Sequence, residues 1–101
     1  DFFILSANQL INHLDKMEVM SKGDMKPRVI IRVAVGSKSP IDAGPQHTQD
    51  HTEAFKKMLT NIDVVQLKEP KDIFPAFKKA YEREDGKSTL FVEYGEFYVT
   101  K

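Results

Sequence analysis

Cysteine is absent from this 101-residue sequence. The chain therefore has no disulfide framework and no thiolate nucleophile, and it fits a reducing compartment. Net charge is absent too, because 15 Lys and Arg balance 15 Asp and Glu. That excludes the basic field that draws proteins to nucleic acid or to an acidic membrane surface. No apolar run approaches the roughly 20 residues that cross a bilayer. Several catalytic signatures are missing as well. There is no G-x-S-x-G nucleophile elbow, no G-x-G-x-x-G or P-loop, and no H-E-x-x-H zinc motif. His47 and His51 stand four apart, but Thr48, Gln49 and Asp50 separate them and no third ligand is evident nearby. No metal site is expected.

What is present is enough for one small packed domain, with 41% hydrophobic residues. Asp1 opens the sequence and Phe2-Phe3-Ile4-Leu5 follows at once, inside an apolar segment. Natural termini are usually polar and loosely held, so the chain is expected to be a piece of a longer protein.

Apolar periodicity predicts an alternating order of helices and strands. Phe3, Ala7, Leu10, Leu14 and Met17 recur at helical spacing and predict a helix over 1–20, with Asn8, Asn12, Asp15 and Lys16 on its surface. It starts either at Asp1 or at a Ser6/Gln9 capping box. Gly23 suits its left-handed stop. Residues 28–35 form a nearly continuous apolar run, the pattern of a parallel strand covered on both faces, interrupted by Arg32. A long loop over 36–46 follows. A helix is then predicted over about 47–59, with Ala54, Phe55, Met58 and Leu59 inward. Residues 63–67 read as a strand. Pro70 opens a third helix whose buried face is Ile73, Phe74, Phe77, Ala80 and Tyr81, with Pro75 held to the first turn. Residues 88–94 are a third strand. Helix and strand alternation predicts an α/β fold with a mainly parallel sheet and helices on both faces.

The stretch Gly44-Pro45-Gln46-His47-Thr48-Gln49 stands out. It follows a strand at the place where parallel sheets usually bind ligands. It is expected to put an imidazole at a helix opening, where free N–H groups and the dipole favour an anion. The bland reading is a capped surface loop with a solvated histidine.

End to end, the chain resembles the pyrimidine-binding domain of thiamine-diphosphate enzymes. It is most similar to the beta subunit of the 2-oxoacid dehydrogenase decarboxylase component, and more distantly to the transketolase central region. Gln9-Leu10-Ile11-Asn12-His13 resembles that family's D-Q-I-x-N-H helix. Met20-Ser21-Lys22-Gly23 resembles its Y-M-S-G-G turn. Val29-Ile30-Ile31-Arg32, Gln46-His47-Thr48-Gln49 and Phe91-Val92-Glu93 match its V-I-R-G, Q-H-S-Q and F-L-E segments. Glu69-Pro70-Lys71-Asp72 through Lys78-Lys79-Ala80 aligns with its third helix without gaps.

The resemblance implies that residues 1–101 are the C-terminal part of such a domain. Phe2 would stack on the cofactor's aminopyrimidine; an aromatic face suits a flat ring, although Phe2 also reads as core. His47 would lie near the reacting carbon as the catalytic residue, ahead of His13 and His51, with Gln46 supporting it. Thiamine diphosphate, with magnesium, would be held chiefly by a partner subunit or domain in a homo- or hetero-oligomer. The compartment implied is the cytoplasm, or the mitochondrial matrix in a eukaryote. The family's catalytic glutamate, in a Glu-Ala-Gly setting, has no counterpart here, so this chain alone is not expected to catalyse. The loop before Gln46 is longer than the family's and lacks its G-P-N-G. Some relatives bind a monovalent cation at the end of the third helix, where this chain has Arg83. Two rival readings stand beside this one. One is a transketolase-like transferase, since Gly44-Pro45-Gln46-His47 resembles G-P-T-H. The other is a non-catalytic assembly module.

Overall fold

The computed structural model describes residues 2–98, except for the side chain of Phe2. A helical arm comes first, followed by strand β1 (Ile30–Val35), helix α2 (Thr52–Met58), strand β2 (Ile62–Leu67), helix α3 (Pro70–Glu82) and strand β3 (Ser88–Tyr94). The arm ends in a short α-helix, α1 (Met17–Met20).

The sheet has three strands in the order β1-β3-β2, all parallel. Going from β1 to β2 the chain steps over the place β3 will take, and from β2 to β3 it steps back. Two crossovers of one hand that run in opposite directions lie on opposite faces of a sheet. The packing agrees. On one face Leu10 and Phe55 meet Ile62 and Leu90, with Phe3, Ile31 and Val33 around them. On the other, Ala80 meets Leu67 and Phe91, with Ala76 and Phe77 beside them. Phe77 stacks on Phe91 at 4.2 Å.

The doubly covered strand is therefore β3, not β1. Leu90 and Phe91, at the sheet's centre, are 1% and 0% exposed. β1 alternates, with Ile30, Arg32 and Ala34 exposed and Ile31, Val33 and Val35 half-buried. The apolar run of 28–35 predicted cover on both sides, but α3 lies over β2 and β3 and leaves the second face of β1 open. Arg32 settles there by pairing with Glu93 on the next strand, Nε to Oε2 at 2.6 Å and Nη2 to Oε1 at 2.9 Å.

The arm is not one continuous α-helix. A 3-10 turn (Phe2–Ser6), a wide π turn (Gln9–His13) and a second 3-10 turn (Leu14–Lys16) precede α1. A π turn inserts a residue and changes which face looks inward. Asp15, expected on the surface, is 1% exposed. Its carboxylate accepts hydrogen bonds from the backbone N–H of Thr60 and Asn61, the Thr60 hydroxyl and Lys16 Nζ. Asn61 Nδ2 also donates to the Asp15 carbonyl at 2.9 Å.

Two helix expectations need correction. Pro75 is the sixth residue of α3, not in its first turn. The lost bond falls on the carbonyl of exposed Lys71, within reach of solvent, while Ala76, Phe77 and Ala80 keep their packing. Phe74 and Tyr81 are 76% and 72% exposed, and Ile73 is also exposed, because α3 turns a narrower stripe to the sheet than its apolar content implied. In α2, likewise, Ala54 and Met58 are exposed while Thr52 and Phe55, and Leu59 just past its end, are buried.

Burial pushes the Asp15 carboxyl up, but the bonds from Lys16, Thr60 and Asn61 outweigh it and hold it below the ordinary carboxylate range. A depressed folded value stabilises the fold above the ordinary range and withdraws that stability as pH falls through the folded value. Asp15→Ala, which leaves buried N–H donors unmade, is expected to lower the unfolding free energy by about 3 kcal/mol. Urea denaturation from about pH 7 to about pH 2 checks this: the wild type should lose more stability with acid than the variant.

Candidate functional site

The carboxyl end of the sheet gathers the residues that the sequence singles out. Gly36 leaves β1 there, and its N–H donates to the His47 carbonyl at 2.7 Å. A Cβ on Gly36 would stand 2.2 Å from that oxygen, so no other residue lets the two backbones come so close. Gly44 opens the His47 turn at φ +92°. Its carbonyl accepts from His47 N at 3.1 Å and Thr48 Oγ1 at 3.0 Å. The loop between them carries a cis Ser39–Pro40 bond.

His47 is thus lashed to the end of β1 by its backbone, with its side chain half-buried. It does not open a helix, because α2 begins at Thr52. The reason is Asp50. Its Oδ1 accepts from Thr52 N at 3.0 Å, a local turn bond that holds the chain out of the helix until Thr52, five residues later than the pattern predicted. The dipole argument for an anion beside His47 fails with it. His51 comes just before α2, so the two histidines do not share a helix face. His13 is exposed at the end of the π turn.

Gln46 is exposed and lines a cleft of about 30 Å³ with Phe3, Ile4, Asp50 and Phe55. Phe3 packs on Phe55 with ring centroids 5.1 Å apart. An adjoining open hollow of about 570 Å³ runs along β1 between Phe3 and His47. The structure therefore brings Gln46 and His47 to the arm's first turn, the turn that contains Phe2. The Phe2 side chain itself lies outside the described residues.

One group was missed by sequence reasoning. Gln66 Nε2 donates to Tyr94 Oη at 2.7 Å, and Tyr94 Oη donates to Asp50 Oδ2 at 2.7 Å. This relay ties the ends of β2 and β3 to the start of α2. Burial pushes the Asp50 carboxyl up, but hydrogen bonds from Thr52 and Tyr94 outweigh it and hold it below the ordinary range. Burial and the Asp50 carboxylate push the Tyr94 hydroxyl up. The available signal was Asp50 two residues before Thr52, a helix-start pattern. Nothing local marks Tyr94 or Gln66.

At the end of α3, Arg83 supplies a positive charge of the protein's own. Nη2 meets Asp63 at 2.8 Å and Asp85 at 2.7 Å, and Nη1 donates to Thr89 Oγ1 at 2.9 Å. Among the described residues no cluster of three or more His, Asp or Glu could hold a metal ion, and no helix is long and apolar enough to cross a membrane. No protein-family model, no curated protein and no solved structure matches the chain.

Gly36→Ala and Gly44→Ala separate steric contact from backbone strain. Gly36→Ala is expected to push the His47 turn off β1 and cost about 3 kcal/mol, the upper range for overpacking. Gly44→Ala meets no atom within 4 Å and is expected to cost only about 1 kcal/mol through its left-handed backbone. Thermal melting reads the costs, and the NMR shifts of the His47 ring should move far more in Gly36→Ala.

Proposed function

We propose that this chain is the pyrimidine-side part of a thiamine-diphosphate-dependent 2-oxoacid dehydrogenase of the beta-subunit type. It furnishes an apolar wall and an imidazole to a pocket shared with a partner. One observation carries the reading. The arm's first turn and the Gln46–His47 turn, some forty residues apart in sequence, meet beside one strand, with Phe3 lining both the cleft at Gln46 and the hollow at His47. The family resemblance assigns those two segments to the cofactor ring, and their meeting supports the assignment.

The residues present fit part of the cofactor. A cavity of ~150 Å³ encloses a benzene ring, so the 30 Å³ cleft does not. The open hollow at Phe3 and His47 has room for a heterocycle but no far wall. On this reading the diphosphate and magnesium rest on the partner. The bound cofactor supplies carbanion stabilisation. On this chain, Phe3 offers the ring an apolar surface. His47 exchanges a proton with the substrate oxygen through its imidazole nitrogen, and Gln46 hydrogen-bonds beside it. Gly36 keeps the imidazole in place by fixing its backbone.

The full-length protein with its partner, thiamine diphosphate and magnesium is expected to release carbon dioxide from a 2-oxoacid. His47→Ala is expected to lower that rate by about a hundredfold, the low end for a proton-transfer residue, with cofactor affinity unchanged. Transfer from ketose phosphates without carbon dioxide release would replace this reading with the transketolase-like one. Failure of both reactions would leave the assembly module. Calorimetry on this chain alone should show thiamine diphosphate binding no tighter than to a control protein, and micromolar affinity would refute the shared pocket.

A further inference from the structure

A second cleft opens on the other face of the sheet, away from Phe3 and Phe55, at the carboxyl ends of β2 and β3. Its volume is about 330 Å³, within the range of small-molecule sites. Leu67, Ile73, Phe77, Tyr94, Phe97 and Tyr98 line it. Phe97 and Tyr98 come from the turn after β3 and stay 45% and 61% exposed. Phe97 leans on Tyr94 with centroids 5.9 Å apart at 60°. Aromatic side chains grouped around an open space favour a flat ring, by stacked or edge-on contact.

The charged rim selects what the ring carries. Arg32, Lys68, Glu69 and Glu93 all border the cleft. Both carboxylates are already engaged. Arg32 holds Glu93 through Nε and Nη2, Tyr98 Oη donates to Glu93 at 3.3 Å, and Lys71 lies 3.1 Å from Glu69. The cations keep donors to spare. Arg32 has five N–H groups, and its Nη1 makes no hydrogen bond among the described residues. Lys68 forms no ion pair among them. The rim therefore offers unspent donors on Arg32 and Lys68, while each of its two carboxylates already stands beside a cation.

We propose that this cleft is a binding site for a planar aromatic carboxylate, its ring among Tyr94, Phe97 and Tyr98 and its carboxylate on Arg32 Nη1 with Lys68 nearby. The site does not depend on the thiamine reading, since it shares neither Phe3 nor His47 with that pocket. It meets the first site at two residues: Arg32 also borders the hollow at His47, and Tyr94 lines the cleft and donates to Asp50 at the start of α2.

Fluorescence anisotropy of naphthoate, titrated with the protein, tests the proposal, with uncharged naphthylmethanol as the companion probe. Saturable naphthoate binding is expected, with naphthylmethanol about tenfold weaker, the factor one charge-assisted hydrogen bond supplies. Arg32→Gln should weaken naphthoate to the level of naphthylmethanol and leave the latter unchanged. Arg32→Gln with Glu93→Gln, which also removes the carboxylate left without its arginine, should stay weak. Phe97→Ala should weaken both probes, with circular dichroism unchanged because Phe97 lies outside the core clusters. Absence of saturable naphthoate binding would overturn the site. Wild-type affinity in the double variant would overturn the role of Arg32.

Discussion

Asp15 brings a carboxylate to a place that is only 1% exposed, and the arrangement of the carboxyl end follows from it. The cost of burying that charge is met by donors from its neighbour Lys16 and from the Thr60–Asn61 turn just before β2. No other polar contact of the described residues ties the arm so deeply to the sheet. Once the arm is tied at Asp15, Leu10 and Ala7 lie on the face of β3 and β1, and Phe3 reaches Phe55. The first turn then arrives beside Gln46. An arm released at Asp15 would lose its place over the sheet, and with it the wall of the hollow in front of His47.

The second constraint is backbone on backbone. Gly36 ends β1 and bonds the His47 carbonyl in the space its missing side chain leaves. The long loop between them thus returns to its own start, and the imidazole is placed by a strand end and not by a helix. Fixing the peptide in this way sets where the imidazole stands at the end of β1. The relay through Gln66, Tyr94 and Asp50 does the same work for the start of α2.

Much of this was legible in the residues, for reasons that can be named. Alternating apolar periods over 63–67, 70–82 and 88–94 show the elements because each buries a face of its own. Gly44-Pro45 shows the turn because proline fixes φ and glycine frees it. The strand order was not legible. Ile30–Val35 and Leu90–Val92 carry equally apolar runs, and only the direction of the two crossovers makes β3 central and β1 an edge. Nor was the burial of Asp15, which depends on a π turn and on donors forty-five residues away. The helix start failed at His47 because hydrophobic period marks a face and not a boundary, while Asp50, a short polar side chain, sets the boundary.

Although the formal charges cancel, their placement divides the sheet in two. At its amino end Arg83 joins Asp63, Asp85 and Thr89, and Arg28 Nη1 reaches the Arg83 carbonyl at 2.8 Å. The Arg83 guanidinium holds the Asp85 carboxyl at about 2, so that carboxylate keeps its charge through ordinary acid. The segments entering all three strands are fastened there, with the Arg83 side chain only 13% exposed. At the carboxyl end the bonds are spent on loops and helix starts, and both aromatic hollows open between them. Parallel sheets bind ligands at that end because every strand there runs into a loop free to vary. Here the closed, ion-paired end takes the mechanical load, so the opposite end can keep exposed aromatic rings, a half-buried imidazole and unspent arginine donors without loosening the fold.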